Sequence, residues 1–312
     1  MMNRRDAVKA GLVGAFGLVV GGRAMAGVPL LRGDARDATA AKKLGFDLGT
    51  QAWTFRDRSA FETLEIAKTL GLGYVEFYSG QVLSPKAKDA KVGYDLTASQ
   101  RADLLGAAKA AGITPRAYGV ISPSKDEADA RRHFEFVKDM QIGVITCEPV
   151  PEAWDLVEKL AKEYGIRCAC HNHPKDSRYW NPDTVLASVK DRSASVGACA
   201  DIGHWTRSGL GAVDCLKKYE GRLISLHLKD VKEVKGEKID QPWGTGDTGI
   251  AAVLRELRRQ KFAGYMSVEY EHGAGKELEA NVKKSIAFFD AACAEIVADE
   301  AKAAKPAKEG TK

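Results

Sequence analysis

From about residue 45 to residue 296 the chain alternates short β-type runs with helical stretches eight times over, which restricts it to parallel α/β architectures. The β-branched or aromatic runs lie at 46–53, 74–78, 113–118, 142–148, 166–171, 196–201, 223–227 and 265–269. Helical patterns follow most of them, at 61–70, 99–111, 126–140, 153–164, 213–219 and 250–261, with a weaker one at 182–190. Glycines at 71, 112, 165, 221 and 264 stand where a helix should stop before the next strand. A doubly wound open sheet uses the same units. It would carry a glycine-rich phosphate fingerprint after the first strand, where this chain reads Gly49-Thr-Gln-Ala-Trp-Thr-Phe55. Eight units in 312 residues therefore predict a single (β/α)8 TIM barrel over 45–296.

The two ends read differently from this body. Arg4-Arg5 precedes a Gly/Ala-rich apolar run at 10–22, and Ala24-Met25-Ala26 supplies the small-residue pattern of a cleavage site. We read 1–26 as a twin-arginine signal peptide, which makes the export machinery a partner and places the mature protein in the periplasm or outside the cell. The run is too short and glycine-rich for a stable membrane span. Residues 27–44 read as a linker, and 297–312, without large apolar anchors, as a disordered tail. Much of the +5 net charge sits in these ends, so no basic stripe marks a nucleic-acid face. The six cysteines show no C-x-x-C spacing, and four of them (Cys147, Cys168, Cys170 and Cys199) fall in apolar β-type runs, where reduced thiols pack as small hydrophobes. Self-association is left open.

In a TIM barrel the functional groups gather where the strands end. The polar residues there are Glu148, His171, His173, Asp201, His204, His227, Lys229, Glu269 and Glu271. Taken singly, each has an ordinary structural explanation, such as a helix N-cap. Carboxylates and imidazoles ending successive strands on one small rim would repel and lose solvation without a cation, and a divalent metal removes that cost. The first half adds Trp53, Glu76, Phe77 and Tyr118, whose apolar faces suit a sugar ring.

The set Asp201-Ile-Gly-His204, His227-Leu-Lys229-Asp230, Gly244-Thr-Gly246-Asp247 and Gly264-Tyr-Met-Ser-Val-Glu269 resembles the sugar phosphate isomerase/epimerase family. That family's barrel is of the xylose isomerase type and includes tagatose epimerases, inosose dehydratases and endonuclease IV. The resemblance implies one divalent ion, Mn²⁺, Mg²⁺ or Zn²⁺, held by a Glu, an Asp, a His and a Glu from the fifth to eighth strands. Asp201, His227 and Glu269 carry over. The fifth strand departs, having His171 before Asn172-His173 where a Glu usually stands. Either an imidazole of this pair binds the ion or Glu148 reaches in from the fourth strand. Glu148 is favoured as the fourth ligand because it restores three carboxylates and one imidazole.

The resemblance further implies proton transfer beside a carbonyl through an enediolate. Glu148, Glu269, His204, Lys229 and His173 are then the candidate catalytic groups, with Trp53, Glu76, His171, His204 and Lys229 contacting the carbohydrate substrate. Returning the proton elsewhere makes an isomerase or epimerase, and export points to an unphosphorylated sugar. Expelling a β-substituent from a keto-sugar, keto-glycoside or inosose makes a lyase or dehydratase. A non-catalytic sugar-binding barrel is a further alternative, whereas a nuclease would need more histidine ligands and a basic face.

Overall fold

The computed structural model describes residues 36–304, so the expected signal sequence lies outside the described residues. Eight strands close into a parallel barrel: β1 Phe46–Gln51, β2 Tyr74–Phe77, β3 Thr114–Ile121, β4 Val144–Cys147, β5 Arg167–Cys170, β6 Val196–Asp201, β7 Leu223–Leu228 and β8 Gly264–Val268. Each pairs with its neighbours in sequence, and β1 closes the ring by pairing Phe46–Thr50 with Gly264–Val268. Helices wrap the outside and bury their apolar faces against the strands, as Val253, Leu254 and Leu257 do in Ile250–Arg259. All six cysteines are free and buried.

Side chains two apart on a strand share a face, so one small layer inside the barrel fixes the direction of the next. Tyr74, Ala117, Ala169, Cys199 and Tyr265 fill the interior. Two residues further on, the same faces carry Glu76, His171, Asp201 and, past Ser267, Glu269; Ser225 likewise leads to His227 and Lys229. This alternation explains why charged groups ending different strands converge inside one mouth.

Two antiparallel hairpins decorate that architecture and were not expected. Val82–Ser84 pairs with Ala87–Lys91, and Asp230–Val234 pairs with Glu237–Gln241. The boundaries also differ at both ends. Thr39–Leu44, expected within the linker, is a helix that buries Ala41 and Leu44, while Arg36 nearby binds Asp290 at 2.9 Å. The last helix, Gly275–Ala303, runs into the expected tail. Its end lacks large apolar anchors, but ion pairs from Arg255 to Asp299 at 3.0 Å and Arg258 to Glu300 at 2.5 Å hold it to the neighbouring helix. Among the described residues no helix is long and apolar enough to cross a membrane.

Candidate active site

His171, Asp201, His227 and Glu269 each bring one ligand-type atom to within 4.8 Å of the others, and all four are buried. Asp201 does two jobs: Oδ1 accepts from the His204 backbone N–H at 2.8 Å, capping the helix Ile202–Arg207, and Oδ2 faces the cluster. The backbone of Asp201 is clamped to β5 by Asn172, whose amide donates to Asp201 O and accepts from Asp201 N, both at 2.9 Å.

Each of the two imidazoles is held from behind by a carboxylate. His171 Nδ1 lies 2.9 Å from Glu148 Oε1, and His227 Nε2 lies 2.9 Å from Glu76 Oε2. An ionised carboxylate only accepts, so those nitrogens carry the hydrogens. The opposite nitrogens, His171 Nε2 and His227 Nδ1, are buried and have no hydrogen-bond partner. His227 Nδ1 is 2.8 Å from Glu269 Oε2 without hydrogen-bond geometry, and His171 Nε2 is 3.5 Å from Asp201 Oδ2. Carboxylate–imidazole pairs with the inner nitrogen left free are how proteins orient histidine metal ligands. Two nitrogen and two oxygen donors of this kind can hold a divalent ion.

Glu148 therefore does not join Asp201, His227 and Glu269 as expected. It lies behind His171, where its Oε1 also takes the Nδ1 hydrogen of His173. The physical reason is the strand face: His171 stands two residues beyond Ala169 and points into the barrel, filling the place a fifth-strand Glu would occupy. Glu76, expected to touch substrate, is fully buried behind His227 and Ser267. Burial pushes the Glu148 carboxyl up, but its bonds to His171 and His173 win and lower it to about 2. Burial pushes the His171 imidazole down, and Asp201 and Glu148 lift it to about 9, so without a cation Nε2 holds a proton that a bound metal would displace.

Lys229 is fully buried, with Nζ 2.6 Å from Asp201 Oδ2 and 2.7 Å from Glu269 Oε2. It neutralises both carboxylates and would share them with any bound cation. His204 Nε2 is 3.3 Å from this ammonium, and burial pushes the His204 imidazole well down, so it stays neutral. Close packing here accounts for Gly203, where a Cβ would stand 2.3 Å from Lys229 Cβ. Asp230 serves the fold instead: its carboxylate accepts from the backbone N–H groups of Gly244, Gly246 and Thr248 at 2.8–3.1 Å. A Cβ on Gly246 would meet Asp230 Oδ1 at 2.4 Å, which explains the second glycine of Gly-Thr-Gly.

A cleft of ≈ 390 Å³ opens over this cluster, lined among others by Gln51, Trp53, Tyr78, His173, Glu269 and Glu271. Trp53 and Tyr78 form its aromatic wall, their rings edge to face at 5.1 Å. Glu271 is tied to Arg207, which also reaches Asp240 Oδ1 at 2.6 Å. Arg207 and Asp240 were missed, because Asp240 enters from the Glu237–Gln241 strand of an unexpected hairpin. Burial raises the Asp240 carboxyl to about 6.

A family described as the xylose isomerase-like TIM barrel matches residues 40–292. The chain belongs to that family. A curated relative, the inosose dehydratase of Clostridium perfringens (strain 13), is 28% identical over 128 residues, a match that spans 36% of this chain and 43% of the relative's length. Among solved structures, an uncharacterized protein from Parabacteroides distasonis ATCC 8503 is 35% identical (TM-score 0.65; 78% of this chain, 98% of that one). D-psicose 3-epimerase from Clostridium cellulolyticum H10 is similar at 12% identity (TM-score 0.61; 78% and 98%), which speaks for the fold alone.

Proposed function

We propose that this chain is a divalent-metal-dependent enzyme that removes the proton beside the carbonyl of an unphosphorylated sugar and returns it at another position or face, as an isomerase or epimerase working through an enediolate. The observation that carries the reading is the pair of partnerless nitrogens, His171 Nε2 and His227 Nδ1, facing Asp201 and Glu269 at the floor of an open cleft. A divalent ion held by these four residues supplies the positive charge that polarises a carbonyl and acidifies the neighbouring C–H.

The chain's own groups would do the rest. Glu269 lines the cleft, and its contacts to His227 and Lys229 use Oε2, which leaves Oε1 to take the proton. His173 also lines the cleft with Nδ1 held by Glu148, so Nε2 is its free end and a second proton-transfer group. Lys229 fixes the two carboxylates, and Trp53 with Tyr78 offers an apolar face to a sugar ring. Neither Lys nor Arg is among the residues lining the cleft, whereas Glu269 and Glu271 are, which disfavours a phosphorylated substrate.

Elimination from a keto-sugar, keto-glycoside or inosose is the second reading. An imidazole opposite a carboxylate can protonate a leaving group, and the curated relatives are inosose dehydratases. Incubation with ketoses, keto-glycosides and inososes in D₂O, with Mn²⁺, Mg²⁺ or Zn²⁺, tests the shared step. Deuterium at the carbon beside the carbonyl supports it, and NMR of the product separates isomerisation from elimination. Sugar binding with no exchange under any of these ions leaves the non-catalytic barrel. We also propose export through the twin-arginine route; secretion unchanged by Arg4→Lys and Arg5→Lys together would reject it.

A further inference from the structure

Beside the cleft lies a second, larger cavity of ≈ 560 Å³ that the proposed chemistry does not use. Ser79, just after β2, lines both spaces, and the consecutive residues Tyr118 and Gly119 divide between them. Tyr118, expected to face the cleft, instead packs outward against Phe136 and His133. Its hydroxyl, close to Ser79, and His133 Nδ1 are buried among the lining residues, and neither makes a hydrogen bond of good geometry. An unpaired buried polar atom costs free energy, so two at one cavity point to a ligand that completes them.

The rest of the wall narrows the chemistry of that ligand. Tyr94 stands edge-on to His133 at 4.7 Å, is held through its hydroxyl by Asp129 at 3.2 Å and is covered by the Arg132 guanidinium at 3.8 Å. Gly93 carries no side chain at a point where a Cβ would come within 3.3 Å of the Tyr118 hydroxyl. Asp89 and Asp95 add acceptors, the latter paired with Arg132 at 2.7 Å, and Lys91 adds a donor, which leaves the wall mixed in charge. Aromatic edges, carboxylates, a hydroxyl and an imidazole together suit a neutral ring rich in hydroxyl groups.

We propose that this cavity is a second sugar subsite, so that the substrate is a two-ring glycoside with its reacting ring over Glu269 and its other ring between Tyr94, Tyr118 and His133. The proposal rests on the sugar-binding reading of the cleft. At ≈ 390 Å³ the cleft is ample for one ring, and the adjoining space gives the second ring its own walls.

Calorimetric titration of the metal-loaded mature protein with cellobiose and with glucose tests this. The expected result is that cellobiose binds at least about tenfold tighter. Tyr118→Phe should cut that advantage by about three- to tenfold, the range for one lost hydrogen bond, and leave glucose affinity unchanged. Its melting temperature should change little, because the deleted hydroxyl makes no hydrogen bond of good geometry in the protein. Ala90→Trp, which fills the cavity from the hairpin side, should abolish the advantage. Equal affinity for the two sugars, or an advantage that survives Ala90→Trp, overturns the subsite and leaves the cleft reading standing. If neither sugar binds, both readings fall.

Discussion

Replacing Glu148 by Gln separates a metal ligand from a group that orients one. In the structure Glu148 Oε1 serves two imidazoles, His171 Nδ1 at 2.9 Å and His173 Nδ1, while His171 presents Nε2 to Asp201. The amide keeps the size and one acceptor but loses the charge. A hydrogen bond to a charged group contributes about 1.5–3 kcal/mol against about 0.5–1.5 kcal/mol for a neutral one, so roughly 1–2 kcal/mol of support for His171 is lost. At 1.4 kcal/mol per decade this is about a 5- to 30-fold fall in metal affinity, in line with the 10- to 100-fold typical when a histidine ligand loses its outer partner. Turnover should fall further, because His173 loses the same partner. His171→Gln removes a donor from the cluster and should weaken metal binding by more, about 100-fold or beyond. Competition with a graded chelator, followed by elemental analysis, reads both variants. A Glu148→Gln protein that comes out empty beside a His171→Gln protein that stays loaded would refute the arrangement and make Glu148 the ligand.

Lys229→Met should leave Asp201 and Glu269 uncompensated, costing about 3–5 kcal/mol without metal, and should make thermal stability strongly metal-dependent; equal melting-temperature gains on adding Zn²⁺ to variant and parent would count against this. Trp53→Ala should raise KM with little change in kcat or stability, since the ring is 41% exposed on the cleft wall; an unchanged KM would remove it from the sugar site. Gly203→Ala should destabilise by about 1–3 kcal/mol through its clash with Lys229 Cβ, measured by chemical denaturation, and a variant of unchanged midpoint would contradict the close packing.

The barrel was legible because eight strand–helix repeats leave few topologies open, and every strand lies within a few residues of its expected place. The hairpins were harder to see: Asp230–Val234 and Glu237–Gln241 are largely polar two-stranded pieces outside the barrel. Their one local signal is Lys235-Gly236, where φ is 53° and 86°, the positive pair a tight hairpin turn requires. Polar residues at strand ends come together in the mouth of the barrel, since period-two alternation aims them inward. Which nitrogen of His171 faces inward, and whether Glu76 or Glu148 stands in front of an imidazole or behind it, depends on packing across strands. Asp240 and Arg207 escaped for the same reason: their meeting joins a hairpin strand to a short helix, 33 residues apart.

Diffraction from crystals loaded with Mn²⁺ or Zn²⁺, recorded at the metal's absorption edge, tests the central claim most directly. One ion is expected within about 2.0–2.6 Å of His171 Nε2, Asp201 Oδ2, His227 Nδ1 and Glu269 Oε2, with Glu148 and Glu76 still bonded to the outer nitrogens. An ion held instead by Glu148 and His173, with Lys229 alone bridging Asp201 and Glu269, would contradict it.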